Sequence, residues 1–391
     1  MQPKDLDRMS LQIESLFQEM QERVMLDIVR RIQKTGNITS TADYQIEKLI
    51  LFGNPSEFIE SELKRLTGKT EPMIWQLYED VIDKEYTRNK AIYEQINGNF
   101  IPYEENELLQ QWVHAIADQT NDEIKNLTRS MGFALKYAGK TVFTPFSEYY
   151  QKYLDRACME IITGVFDYNT VLRRVVSEMT SSGIRTVDYA SGHSNRITVA
   201  GRRAVMTGVN QLSSKINEKV AKDLGTNTFE VTWHAGARPT HWWGGMVFTK
   251  EELESVCGLG RVDGLCGANC RHNYIAFVPG ISKRTYTDEQ LTEMREREKK
   301  TTHWRGKDYN AYEATQKQRQ METAMRAQRE RVRLLQSGGA DKEIVMIEKA
   351  KYQGQLNEYA RFSRNMGLIQ QRERIYLDLR GRVAPITKFR R

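Results

Sequence analysis

The sequence predicts a mainly α protein. It has an N-terminal helical region, a small loop-rich α+β module in the centre and a charged helical hairpin at the C-terminus. Three observations predict this. Apolar residues recur at steps of three and four over most of the chain, as on one face of a helix. Only eight prolines interrupt 391 residues. The residues that long helices avoid are concentrated in Val231–Gly280, which holds three of the six histidines, three of the four cysteines and three of the six tryptophans. Glycines are dense there too, and each costs roughly 1 kcal/mol in a helix interior. On this pattern the chain divides into domains at 1–180, 181–285 and 286–391.

Leu6, Met9, Ile13, Leu16, Met20, Val24, Ile28 and Ile32 form the stripe of a first helix over 6–34, which needs a partner surface. Gly36-Asn37 ends it, and Thr39 to Asp43 offers caps for a second helix carrying Tyr44, Ile46, Leu49 and Ile50. After the Gly53-Asn54-Pro55-Ser56 break, helix resumes over Glu57 to Leu66. Thr70-Glu71-Pro72 reads as the start of another helix, with proline where its missing N–H costs nothing. That helix runs through Trp75, Leu77, Tyr78, Val81 and Ile82, and residues 96–104 are a loop. Leu108, Leu109, Trp112, Ile116, Ile124, Leu127 and Met131 step helically over 105–138, until Gly139-Lys140-Thr141 breaks the pattern. Two further helices cover 146–163 and 168–180, with Cys158 on an apolar face as a small buried hydrophobe.

Ser181 to Arg196 is turn-rich, with room for a short strand at Ile184 to Tyr189. Val199 to Leu224 is helical and Gly225 stops it. Phe229 to Trp233 alternates as a strand does and delivers His234 into the central module. Beyond Gly280 a charged helix is predicted over Thr287 to Lys300, followed by helices over 311–336 and 341–364. Their narrow stripes (Met321, Met325, Val332 and Leu335 on one, Val345, Tyr352, Leu356 and Tyr359 on the other) and the Gly338-Gly339 turn between them specify an antiparallel hairpin. The last residues, Arg380 to Arg391, are a basic, mobile end.

Composition bounds the function. With 39% apolar and 28% charged residues and a mean hydropathy of −0.63, the chain suits long exposed helices rather than one large core. No apolar run reaches the length of a membrane span, and the N-terminus has no basic-then-apolar secretory pattern, so a reducing cytoplasm and free or metal-bound thiols are expected. Net charge is +7 but unevenly spread. From Ile281 onward 26 Lys and Arg stand against 15 Asp and Glu, a net of +11, whereas the first 280 residues carry 32 against 36, a net of −4. A basic rear on a mildly acidic body points to a polyanion or an acidic protein surface, with a solvated helical face as the alternative.

In the central module, Cys266, Cys270, His272 and His234 are the residue types that hold a structural zinc, and tight turns between paired ligands are its usual source. Gly264, Gly267 and Asn269 allow a sharp knuckle between the thiolates. The spacing C-x₃-C departs from the common C-x₂-C. The competing reading, favoured on that ground, is a small core of Cys and Trp with histidines bonded to backbone carbonyls; a disulfide is the third. His234, Arg238, His241 and Asp263 are the residues an acid–base cluster with an anion clamp would use, but no nucleophile stands beside a base. There is no P-loop, no H-E-x-x-H and no G-x-S-x-G, and the glycines at 258–267 are not a dinucleotide fingerprint. Arg238-Pro239-Thr240-His241 with Trp242-Trp243-Gly244-Gly245 reads as a fixed loop anchored by tryptophan, Arg238 bonding carbonyls. No catalytic or cofactor-binding residue is assigned.

Three segments, His-Ala-Gly-Ala-Arg-Pro-Thr-His at 234–241, Gly-Leu-Cys-Gly-Ala-Asn-Cys-Arg-His at 264–272 and Phe277-Val278-Pro279-Gly280, resemble the tailed-phage minor capsid protein family (phage minor capsid protein 2), which is related to the Mu F-like head morphogenesis proteins. Tyr189-Ala190-Ser191-Gly192, the run from Arg202 to Gln211 and the run from Tyr312 to Gln320 resemble it too. One departure is local: Trp242-Trp243-Gly244-Gly245 replaces a small residue and a Trp-Gln-Gly step. The resemblance implies a non-enzymatic structural protein of the virion, made in few copies in the head interior near the portal after assembly in the host cytoplasm. Its implied partners are the portal protein, other head components and double-stranded DNA, with no membrane. The alternative functions are a metal-dependent hydrolase or toxin-like effector centred on His234, His241 and His272, or a host nucleic-acid-binding protein.

Overall fold

The computed structural model describes residues 3–36, 38, 55–96, 98–188, 192–381 and 383. The second helix expected from Thr39 lies outside the described residues, as do Tyr189-Ala190-Ser191 and most of the basic end after Arg380. The architecture is mainly α with small antiparallel sheets, as the apolar spacing predicts. The long helices are α1 (Pro3–Thr35), α2 (Pro55–Glu85), α3 (Glu107–Arg129), α4 (Tyr168–Ser182), α5 (Ile197–Asp223), α6 (Asp288–Lys299), α7 (Ala311–Ser337) and α8 (Lys342–Asn365). The chain forms two compact units, each assembled from three separate stretches.

The first unit comprises Met1–Ile13, Lys69–Ile124 and Arg202–Lys317. Its helical core is made by Ile74, Leu77, Tyr78 and Val81 of α2, Leu109, Val113 and Ile116 of α3, and Val205, Val209, Leu212 and Ile216 of α5, all buried. Tyr78 and Thr120 share a hydrogen bond of 2.6 Å between their hydroxyls. Gly208 lies against both: a Cβ there would stand 1.9 Å from the Tyr78 hydroxyl, so only glycine lets the helices approach so closely. On this core sits a three-stranded sheet of order β6-β5-β7, formed by β5 (Thr228–Val231), β6 (Val247–Thr249) and β7 (Tyr274–Phe277).

The second unit comprises Glu14–Gly68, Lys125–Gly201 and Gln318–Arg391. It holds a four-stranded antiparallel sheet, order β2-β1-β3-β4, from β1 (Met131–Tyr137), β2 (Lys140–Pro145), β3 (Ile184–Val187) and β4 (Ser194–Arg196). The C-terminal helices form the antiparallel hairpin expected: Gln318 bonds Ser363 at 3.1 Å, Tyr359 bonds Glu322 at 3.0 Å, and Gln328 bonds the Glu348 carbonyl at 3.0 Å. On α1, Gln18 and Gln21 each donate to Glu330 of α7 at 2.5 Å.

Two expectations are corrected. The helix expected over 105–138 ends at Arg129, and the rest of that span is β1, which forms a hairpin with β2 just beyond it. The two-residue loop Ala138-Gly139 has both φ positive, at 47° and 78°, the primed turn whose twist matches paired strands. Ala-Gly carries little turn signal, so the apolar steps of Leu127 and Met131 read as helix. Likewise Pro72 does not open a new helix but lies inside one continuous α2, where its missing N–H deprives only the carbonyl of Gly68, an exposed residue, of its helical donor.

Candidate functional site

Everything that positions the central histidines lies in the first unit. Strand β5 leads into Thr232, and Pro239 then opens a single 3₁₀ turn, Pro239–His241, with proline at the position where its ring is preorganised. The turn closes through the His241 N–H to the Arg238 carbonyl at 2.8 Å. Trp243 is buried and Trp242 is half exposed at 53%. Gly245, at φ 81°, returns the chain so that its N–H meets the Val231 carbonyl at 2.9 Å. A short helix, Lys250–Ser255, follows, closed by a Thr249–Glu252 capping box.

The loop from Val256 to His272 is folded on its own backbone. Leu265 is fully buried and its N–H donates to the Cys257 carbonyl at 2.9 Å. A Cβ on Gly264 would stand 2.0 Å from the Gly258 carbonyl oxygen, and one on Gly267 2.4 Å from that of Val262. The knuckle between the cysteines bends through left-handed residues that are not glycine, Cys266 at φ 59° and Asn269 at φ 57°. Gly264 and Gly267 therefore serve close approach, and of the three residues to which the sequence assigned the bend only Asn269 makes it, together with Cys266. Arg238 donates to the Ala268 carbonyl and ties the 3₁₀ turn to this loop.

A buried polar network fixes the end of the loop. Asn273 donates to Glu85 of α2 at 2.9 Å and to Ser213 of α5 at 2.6 Å, and Asn217 of α5 donates to the same Glu85 at 3.0 Å. The Asn273 backbone is paired in both directions with Thr232, at 2.8 and 2.9 Å. His272, the preceding residue, is thereby held against β5 and two long helices.

The side chains so placed converge. Cys270 Sγ lies 3.5 Å from His272 Nδ1 and 3.8 Å from His241 Nδ1. The other nitrogen of His241 faces the Asp263 backbone oxygen at 2.9 Å. The His272 ring is packed against His234, with ring centroids 4.3 Å apart, and against Trp243 at 4.9 Å, and its Nε2 is buried without a hydrogen-bond partner. His241 stacks on Trp243 at 4.7 Å. Burial lowers the pKa of all three histidines: to about 4 at His234, below the usual range at His241 and well below it at His272. Burial raises the Cys270 and Cys266 thiols.

Of the four residues read as zinc ligands, Cys270 and His272 meet, while the other two turn to backbone oxygens. Cys266 Sγ points to the His272 carbonyl at 3.7 Å, and His234 Nδ1 lies 3.0 Å from the Ala235 carbonyl oxygen. The third group in the cluster is His241, which the 3₁₀ turn folds back over the loop; only Pro239 hints at this in the sequence. The carbonyl-bonded arrangement of the competing reading is also present, at His241 and His234. All four cysteines are free thiols, so no disulfide forms. Asp263 contributes only its backbone oxygen, because its carboxylate pairs with Arg261 at the surface, 3.3 Å away. A cavity of about 310 Å³ opens beside the cluster, lined by Trp233, His241, Trp242, His272, Arg295 and Glu298 among others. Glu298 is engaged by the Gly236 N–H at 2.5 Å.

The charge of the C-terminal region is disposed differently from its sequence count. Arg329 of α7 is fully buried in a two-pronged pair with Asp378, and Arg333 pairs with Glu22. Lys342, Arg361, Arg364 and Arg372 are exposed. Among the described residues no helix is long and apolar enough to cross a membrane.

The sequence model of one protein family, phage minor capsid protein 2, matches residues 1–361. No curated protein and no solved structure matches the chain.

Proposed function

The chain belongs to the phage minor capsid protein 2 family, and from that premise we propose that it sits in few copies in the head interior near the portal, touching the portal and the packaged DNA. Membership makes it a structural component of the phage virion that works among other head proteins. The observation that carries the reading is the extent of the match, which takes in both helical regions as well as the central module. In support, the exposed cations Lys342, Arg361, Arg364 and Arg372 belong to the C-terminal region and suit phosphate contacts. On this reading residues 1–180, 181–285 and 286–391 are the functional segments, the central one a rigid fastening and the last the DNA-facing part.

The alternative of a metal-dependent hydrolase needs a general base turned toward the histidines. Asp263 turns its carboxylate away, and Glu298 is held by a backbone N–H, which favours the structural reading. The test has two arms. Mass spectrometry of purified particles, with and without DNA, reports presence and copy number. Co-purification with the portal protein of the same phage reports contact. Absence from particles, or particles containing the protein but no association with portal under any assembly condition, overturns the placement.

A further inference from the structure

We propose that His241 Nδ1, Cys270 Sγ and His272 Nδ1 hold a transition-metal ion of zinc's class, which clamps the 3₁₀ turn after β5 to the loop before β7. The donor atoms of these three buried side chains lie within 4.8 Å of one another. A tetrahedral zinc ion, with metal–sulfur near 2.3 Å and metal–nitrogen near 2.0–2.1 Å, sets sulfur and nitrogen about 3.5 Å apart. The observed separations from Cys270 Sγ are 3.5 Å to His272 and 3.8 Å to His241. Two sulfur–nitrogen edges of a coordination tetrahedron are therefore already in place.

The surroundings supply what such a site requires. The Nε2 atom of His241 faces the Asp263 carbonyl oxygen at 2.9 Å. Carbonyl oxygens accept only, so that nitrogen carries the proton and Nδ1 turns a lone pair toward Cys270, the arrangement by which metal-binding histidines are oriented. His272 is held by rings on two sides, with Cys270 Sγ 3.5 Å from its Nδ1, and burying its unpartnered Nε2 costs about 1–3 kcal/mol. A purely apolar core offers nothing to offset that cost, whereas a coordinate bond at Nδ1 does. Two imidazoles and one thiolate select zinc or a similar ion over magnesium or calcium, which take oxygen. The cavity of about 310 Å³ that both histidines line gives a water room to complete the coordination. This set differs from the one the sequence suggests by exchanging Cys266 and His234 for His241.

The experiment uses the full chain, purified without added metal. Elemental analysis is expected to give one equivalent of zinc, and a chelator is expected to lower the thermal midpoint reversibly. Replacing zinc with cobalt(II) should produce the thiolate-to-metal charge-transfer band. That band should vanish in Cys270→Ser and persist in Cys266→Ser and Cys158→Ala. If Cys270→Ser fails to fold, the wild-type cobalt spectrum and metal count decide alone. No metal as isolated and none taken up from zinc or cobalt solutions overturns the proposal, as does a cobalt band that survives Cys270→Ser.

Discussion

Arg329 and Asp378 form a two-pronged ion pair in the second unit, with nitrogen–oxygen distances of 2.8 and 3.0 Å. Arg329 lies only 1% exposed, beneath the ring of Tyr376, whose centroid is 4.6 Å from the guanidinium carbon. The same guanidinium donates to the carbonyls of Arg380 and Gly381 at 3.1 Å, so one side chain of α7 fastens the segment that follows α8. Removing the acid strands a buried cation, which costs about 3–5 kcal/mol. Asp378→Asn is therefore expected to lower the urea-unfolding free energy by about 3 kcal/mol. A loss under about 1 kcal/mol, the range of exposed pairs, would show that the pair is hydrated in solution.

The inward turn of these arginines limits what the basic region can offer DNA. Arg326, Arg331 and Arg333 also face acids, namely Glu14 at 3.9 Å, Glu348 at 3.9 Å and Glu22. If Lys342, Arg361, Arg364 and Arg372, four of the region's exposed cations, are the ones that each neutralise one phosphate, log K against log salt should slope about −3 to −4. The double variant Arg361→Glu with Arg364→Glu should flatten the slope by about 2 and leave thermal stability unchanged. A slope near −10 in the wild type would mean that the net charge of the region, not these residues, governs contact.

The helices were legible because each buries a periodic stripe. Ile13, Met20, Val24, Ile28 and Ile32 are spaced for α1 and all are buried. The short strands were not legible. β4, β6, β8 (Thr302–Trp304) and β9 (Lys307–Tyr309) are three residues each, too short for alternation to register. At the site, Cys270 and His272 were legible because they are neighbours in sequence. His241 enters the sequence reading only as a centre of the metal-dependent alternative and not in the structural-zinc set, because its place depends on the φ of Pro239 and on Arg238 reaching the Ala268 carbonyl, a contact between residues thirty apart.

Glycine positions separate close approach from mere flexibility. At Gly264 a methyl group would collide with the Gly258 backbone, which cannot rotate away. Gly264→Ala is expected to lower stability by about 1–3 kcal/mol, as overpacking does. Gly354, inside α8 and exposed, has nothing within 4 Å of the added carbon, so Gly354→Ala is expected to raise stability by up to about 1 kcal/mol. Thermal and urea unfolding of both variants read the contrast, and equal effects would mean that the 257–267 loop yields.

Acidity should act in opposite directions through Glu330 of the second unit and His234 of the first. Glu330 is buried, and burial, outweighing the hydrogen bond from Gln21, raises its pKa from 4.5 to about 7; Glu22 nearby raises it further, while Arg196 and the bond from Gln18 lower it. The folded chain thus keeps a proton that the unfolded chain has lost between pH 4.5 and about 7. Its stabilising effect is fully present below pH 4.5 and is lost as pH rises through 7. His234 has the reverse sign: its pKa is lowered from 6.5 to about 4, so the unfolded chain takes the proton first and stability is lost as pH falls from 6.5 toward 4. Glu330→Gln imitates the protonated carboxyl and removes the first dependence alone. Measured by urea unfolding, the variant should match the wild type near pH 4 and exceed it by about 3 kcal/mol at pH 7.5. A difference that is the same at both values would mean that Glu330 is already ionised in the folded protein, its charge answered by Arg196 and Arg326 rather than suppressed by burial.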